Sequence, residues 1–298
     1  YTEDWTPQNE GFQISISENT VIENAITGSG DDLITCNVAF NTIYCGLGND
    51  EVKDISTGDS VYGGDGNDRF WIIASDFTLI DGGNGTADEL NFIGSSVDLS
   101  RYSDAQITNI ESINILQDNP TLLTLSQQSI LDLESNRYMN IDGDEDDDYV
   151  VWVWGDYGQD NILLPSENWT HFSGELLSYY SNDSGDIYLV VVGRIGVYEK
   201  TSDGDVSISS QTVAENRADA LVGILTKDGL TQLSPFGSLF TVSGPDADKF
   251  EVDIDGTTLR LKTGTVVDYE TQTTYNITIT VLGVSQDYQI TVIDGEEN

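Results

Sequence analysis

At 298 residues the chain has room for two or three domains. Its 52 acidic residues against 11 basic ones give a formal net charge of −41, which excludes recognition of a nucleic-acid backbone or an anionic membrane surface as a main activity, since both would be repelled. No run approaches the ~18 apolar residues of a membrane-spanning helix, so membrane insertion is not expected. The single histidine excludes a two-histidine zinc site.

Six nine-residue units run from Thr27 to Ile80 with glycine and aspartate at fixed offsets, the fifth being Gly63-Gly64-Asp65-Gly66-Asn67-Asp68-Arg69-Phe70-Trp71. In the frame G-G-x-G-x-D-x-U-x, the sixth position holds Asp32, Asn41, Asp50, Asp59 and Asp68. The eighth holds Ile34, Ile43, Val52, Val61, Phe70 and Leu79. Each unit supplies a turn and a strand too short to bury its one large apolar side chain alone, so the units must stack. Two units make one coil, which predicts a right-handed parallel solenoid with turns near Thr27, Cys45, Gly63 and Gly82 on one edge and near Cys36, Asp54 and Ile72 on the other.

Turns on one edge lie about 4.8 Å apart, close enough for backbone carbonyls and one aspartate from each to surround a hard cation with six or more oxygens, which suits calcium better than magnesium. The first edge offers Gly28, Gly30 and Asp32, then Gly46, Gly48 and Asp50, then Gly64, Gly66 and Asp68, then Gly83, Gly85 and Asp88. About three ions are expected there, one per neighbouring pair of turns. The second edge keeps Asp59 and Asn41 with few glycines, so its sites should be weak or empty. So much uncompensated charge predicts a partly unfolded cation-free form. Cys36 and Cys45 sit half a coil apart with a strand between them and are expected to be free or poorly bridged thiols.

These repeats resemble the RTX calcium β-roll of secreted bacterial proteins. The lead-in Val21-Ile22-Glu23-Asn24-Ala25-Ile26-Thr27-Gly28-Ser29-Gly30-Asp31-Asp32 is similar to the start of the β-roll that follows the catalytic domain of serralysin-type metalloproteases. Cys36 and Cys45 depart from the glycine usual at the first position.

From Leu90 the nonapeptide phase is lost, but short β-rich runs at 97–99, 107–115, 122–125 and 139–141 predict wider coils, with one or two helical turns over Ser126–Leu133. Asp142, Asp144, Asp146 and Asp148 then alternate ahead of a strand, placing four carboxylates on one face where calcium could bind. They do not form an EF-hand, because Val153 stands where its glutamate is required. Trp152, Trp154, Tyr157, Trp169, Tyr179, Tyr180, Tyr188 and Tyr198 follow. They suit a cap over the last coil, or a face that holds sugar rings. His171, in an aromatic strand, reads as packed rather than basic. The stretch from Asp88 to Val192 resembles the capping region after RTX repeats in large bacterial surface proteins.

Seven alternating runs between Gln211 and Ile293 predict a β-sandwich. Ala214-Glu215-Asn216, Val267-Asp268-Tyr269-Glu270 and Val292-Ile293-Asp294 are spaced as in a cadherin repeat, which this segment resembles over its full length. The resemblance implies calcium ligation by Glu215, Asp268, Glu270 and Asp294, although the closing Asp294-Gly295-Glu296-Glu297-Asn298 departs from that family's linker.

The expected architecture is therefore all-β: a calcium β-roll over 1–92, a solenoid extension and aromatic cap over 93–202, and a cadherin-like sandwich over 203–298. Beginning at Tyr1 with no visible leader, the chain reads as a piece of a longer protein. The expected function is a non-enzymatic, calcium-binding segment of a secreted bacterial surface protein, of the RTX adhesin kind. Its partners would be neighbouring domains, copies of itself or surface glycans, and nucleic acid is not among them. The residues leave open a self-assembling matrix, filament or surface-layer protein, a calcium-dependent glycan-binding module, and the non-catalytic C-terminal region of a secreted hydrolase.

Overall fold

The computed structural model describes residues 13–15, 24–73, 76–93, 96–102, 106–115, 121–133, 149–155, 160–165, 169–173, 177–181, 187–192, 195–200, 204–232, 238–253 and 255–295. Among the described residues the fold is all-β apart from one short α-helix and two 3-10 turns. It divides into two compact units, Tyr1–Asp156 with Glu167–Gly193, and Tyr157–Ser166 with Arg194–Asn298. Among the described residues no helix is long and apolar enough to cross a membrane.

The first unit is built from short strands that alternate between two parallel sheets. Strands β2 (Asn24–Ser29), β4 (Thr42–Leu47), β6 (Ser60–Asp65) and β8 (Leu79–Asn84) stack in register in one sheet. Strands β1 (Gln13–Ser15), β3 (Leu33–Thr35), β5 (Glu51–Ile55), β7 (Arg69–Ile72) and β9 (Glu89–Phe92) form the other. The repeat dictates this pairing: Ile43 lies beside Val61 in one sheet, and Ile34 beside Val52 and Val52 beside Phe70 in the other. Each is fully buried, because a side chain at the same offset in every coil meets its own kind from the coils before and after. The outer face shows the same register, with the rings of Tyr44 and Tyr62 stacked at 4.7 Å.

The frame slips in the sixth unit. The nine-residue phase puts Leu79 at the core position, but Val61 pairs with Ile80, which is fully buried, while Leu79 is only half-buried. Ile55 faces Ile72, 17 residues on, after an irregularity at which Asp54 takes a left-handed φ of 59°. Val61 faces Ile80, 19 residues on. Two residues are thus absorbed between Ile72 and the next strand, so the nine-residue frame does not run unbroken to Ile80. Cys36 and Cys45 are buried and free. Burial, reinforced by Asp59 and Asp54, pushes the Cys36 thiol up to about 12.

Beyond the repeat the second sheet continues in parallel through 112–114, 149–154 and 187–192. Two antiparallel strands, Leu177–Ser181 and Thr170–Ser173, then close it. Trp169, Tyr180 and Tyr188 are buried here, and His171 stacks on Tyr180 at 4.7 Å. Trp154 is 38% exposed. The predicted helical turn is a helix at Gln127–Asp132, capped by Ser126, whose Oγ accepts from the Ser129 amide at 2.9 Å.

In the second unit Asn161–Pro165 pairs in parallel with Gly196–Lys200, and Leu230–Gln232 adds antiparallel to the latter. Two four-stranded sheets follow. One orders the strands 206–208, 221–227, 258–261 and 250–252; the other orders 212–214, 284–293, 274–281 and 241–243. One core unites both, including Val213, Leu225, Phe250, Leu259, Ile277 and Ile290, with Phe250 edge-on to Tyr275 at 6.0 Å.

Replacing Ile80 with alanine is expected to cost about 2–5 kcal/mol and replacing Leu79 about 1 kcal/mol or less, in equilibrium urea unfolding. Equal costs would contradict the shifted frame.

Candidate metal centre

The turns between the two sheets stack backbone on backbone, and their glycines are required by that approach. Gly46 and Gly64 both have φ of +107°, and a Cβ on Gly64 would collide with the Gly46 carbonyl oxygen. Gly28, Gly30, Gly48, Gly66 and Gly83 occupy equivalent left-handed turn positions. Gly85 does not, but a Cβ there would run into the Gly66 carbonyl and the Asp88 carboxylate, so its smallness is what the turn uses.

This close stacking places the aspartates in a line. Asp50 Oδ1 accepts from the Asp32 amide, Asp68 Oδ1 from the Asp50 amide and Asp88 Oδ1 from the Asp68 amide, each at 2.7 Å. Asp32, Asp50, Asp68 and Asp88 are all no more than 2% exposed. Oδ2 of Asp50, Asp68 and Asp88 is buried without a hydrogen-bond partner. A buried carboxylate oxygen with no donor is costly. Burial accordingly raises the carboxyls of Asp50 and Asp88 to about 7 and that of Asp68 to about 6, partly offset by the amide each accepts from. A cation among these oxygens and the stacked carbonyls is the chemistry that suits an acceptor-only set.

The opposite edge is arranged differently. Asp59 Oδ1 accepts from the Asn41 amide at 2.8 Å, and its Oδ2 accepts from the Ser56 amide at 2.8 Å and the Ser56 hydroxyl at 3.3 Å. Asn41 Oδ1 in turn accepts from the Asn37 amide at 3.2 Å. Here hydrogen bonds occupy the oxygens that stand open on the first edge.

The line of carboxylates also extends beyond the repeat. The Asp88 amide donates to Glu111 Oε2 at 2.7 Å, and Glu111 is buried. Spacing alone does not single out Glu111, because it follows Asp88 by 23 residues rather than 18; it lies directly before the short strand Ser112–Asn114.

In the second unit Glu215, Asp268 and Glu270 each bring a carboxylate oxygen within 4.8 Å of the others. Glu215, buried, accepts from the Tyr269 amide at 3.0 Å and the Gly295 amide at 2.5 Å, which ties together the three segments whose spacing marked this site. Asp268 accepts from Thr271 Oγ1 at 2.7 Å and from the Glu270 amide at 3.0 Å, bonds that hold its carboxyl below the ordinary range. Asp294 is exposed beside Gly295 and is not one of the three. Asp142, Asp144, Asp146 and Asp148 lie outside the described residues.

Two parallel sheets joined by stacked, carboxylate-bearing turns define a repeat protein in which each coil completes its neighbour. Residues 10–164, more than half of the chain, match the family described as Peptidase M10 serralysin C terminal, and the chain belongs to that family. No curated protein matches it. Among solved structures it is similar to the protocadherin gammaB4 extracellular domain, at 17% identity and a TM-score of 0.23, over 40% of this chain and 20% of that one. The chain thus spans about a fifth of that structure.

The raised carboxyls bind protons more tightly in the folded chain than in the unfolded one. Without a cation they therefore add stability that is complete below about pH 4 and lost as pH rises through about 6 to 7. Urea midpoints measured in chelator should fall across that window, and Asp50→Asn with Asp88→Asn should flatten the fall. Glu215→Ala should cost about 1–3 kcal/mol, measured by unfolding of the second unit, since two amides lose their acceptor.

Proposed function

We propose that the chain is a calcium-binding segment of a secreted bacterial surface protein, organised as a calcium β-roll over 1–92, a capped extension over 93–202 and a cadherin-like sandwich over 203–298. The observation that carries this reading is the line of buried carboxylates whose second oxygens at Asp50, Asp68 and Asp88 have no donor. Asp32, Asp50, Asp68 and Asp88, with the carbonyls of Gly28, Gly30, Gly46, Gly48, Gly64, Gly66, Gly83 and Gly85, would hold calcium between successive turns; Asp59 on the other edge would bind weakly. Glu215, Asp268 and Glu270, with Asp294 nearby, would form a separate site.

Calcium supplies the positive charge that lets these turns close, so folding follows the ion. Chains kept in low calcium would stay open and would close outside the cell, where weak extracellular-type sites fill near the millimolar range. The segment would act as a stiffened spacer of the RTX adhesin kind, engaging neighbouring domains or copies of itself, and would carry no catalysis of its own. A second reading, the non-catalytic C-terminal region of a secreted hydrolase, is favoured by the family match over residues 10–164.

Size-exclusion chromatography with light scattering, in chelator and then in rising calcium with magnesium as control, tests the reading. Calcium, but not magnesium, is expected to compact the chain to a monomer, and Asp68→Asn should raise the calcium midpoint about tenfold or more. The absence of any calcium response would overturn it.

A further inference from the structure

We propose that the row of cation sites extends one step past the glycine-aspartate repeat, to a site formed by Asp88, the Asn109 carbonyl and Glu111. This rests on the calcium reading of the repeat turns and adds a site that no repeat motif marks.

Tyr62 pairs with Asp81 and Asp81 with Thr108, so the residues that follow them, Gly63, Gly82 and Asn109, take equivalent places at the start of successive turns. From Gly63 the carboxylate comes five residues later, at Asp68, and from Gly82 six later, at Asp88. From Asn109 it comes only two later, at Glu111. The turn has been cut short, and a side chain one methylene longer makes up the reach. Glu111 Oε2 accepts the Asp88 amide at the same 2.7 Å at which Asp88 Oδ1 accepts the Asp68 amide.

A side chain begun at Gly63 would meet the carboxylate of its own turn, Asp68 Oδ2, and the carbonyl of the next, Gly82, the latter at 2.5 Å. One begun at Gly82 would meet Asp88 Oδ2 at 2.8 Å and the Asn109 carbonyl. The same pair of oxygens, one carboxylate and one carbonyl from the following coil, faces the same glycine-lined gap in both places. Asp88 is fully buried; its Oδ1 is committed to the preceding turn, and its Oδ2 has no partner. Asn109 is held for this role in a left-handed conformation, φ 55°, with its Nδ2 donating to Asp81 Oδ1 at 2.7 Å.

Two carboxylates and a carbonyl suit a hard divalent cation of the kind assigned to the repeat. Because the shortened turn brings fewer carbonyls than a six-residue one, water must complete the shell, and this site should be the weakest of the row. Asp88 and Glu111 repel each other when both are ionised, a cost that the cation removes.

Calcium binding by the full chain, counted by equilibrium dialysis, tests the inference. Glu111→Gln keeps the length and an acceptor for the Asp88 amide but removes the charge. It should bind one calcium fewer than the wild type, losing the weakest of the row. Gly82→Ala, which fills the gap without changing charge, should lose the same ion, and it decides the matter alone if Glu111→Gln does not fold. Unchanged counts and affinities in the folded variants, against a calcium-binding wild type, would leave Glu111 as a hydrogen-bonding cap and overturn the site. A wild type that binds no calcium overturns the repeat-turn reading, and this inference with it.

Discussion

Everything in the first unit depends on setting like charges side by side in a dry place. Neighbouring turns stand one strand spacing apart, about 4.8 Å, and each brings an aspartate with almost no exposure to water. At an effective dielectric of about 20, two unit charges at that separation repel by about 3.5 kcal/mol. Three such neighbouring pairs approach the whole net stability of an ordinary domain, about 5–15 kcal/mol. Protonation of the carboxylates or a shared cation would remove that repulsion. The glycines make the problem acute, because it is their missing side chains that let the turns come so close.

The two edges of the coil answer the same constraint in different ways. On the first, Asp50, Asp68 and Asp88 each spend one oxygen on the amide of the turn before and leave the other open. On the second, Asn41 replaces one aspartate, and Ser56 donates twice to the one that remains, so hydrogen bonds do there what charge compensation must do opposite. The asymmetry leaves one edge with buried carboxylate oxygens open and the other with its carboxylate oxygens hydrogen-bonded.

Much of this was legible in the sequence, because a nine-residue phase sets the turn and the core residue together. Asp32, Asp50 and Asp68 follow from that phase, as do Ile34, Ile43 and Val52 in the core. In the second unit, the alternating apolar residues locate Leu221–Lys227 and Thr274–Val281 within two residues but only the last six residues of Val284–Ile293, and the three segments that converge on Glu215 are those whose spacing resembles a cadherin repeat. What spacing could not reveal is how a coil absorbs change. A backbone irregularity near Asp54 removes a residue from register, and the segment after Ile72 puts two back, which shifts the core position from Leu79 to Ile80. Glu111 was hidden for the same reason: its equivalence to aspartate lies in where its longer side chain reaches. The short strands Val206–Ile208 and Leu230–Gln232 escaped because three residues are too few to show a period.

In the second unit, the short strand Thr212–Ala214, near the beginning of the two paired sheets, lies parallel to the last strand, Val284–Ile293, through three successive residue pairs. Tension applied to that last strand and to the chain leading into Thr212 draws two parallel neighbours lengthwise past each other. All of their hydrogen bonds then bear load at once and must break together, unlike an antiparallel hairpin pulled from its open end, which yields one bond at a time. Resistance to such a pull is set by the rate of that concerted step rather than by equilibrium stability. Three rungs, backed by the buried Val213 and Val292, are what such a pull would have to break at once.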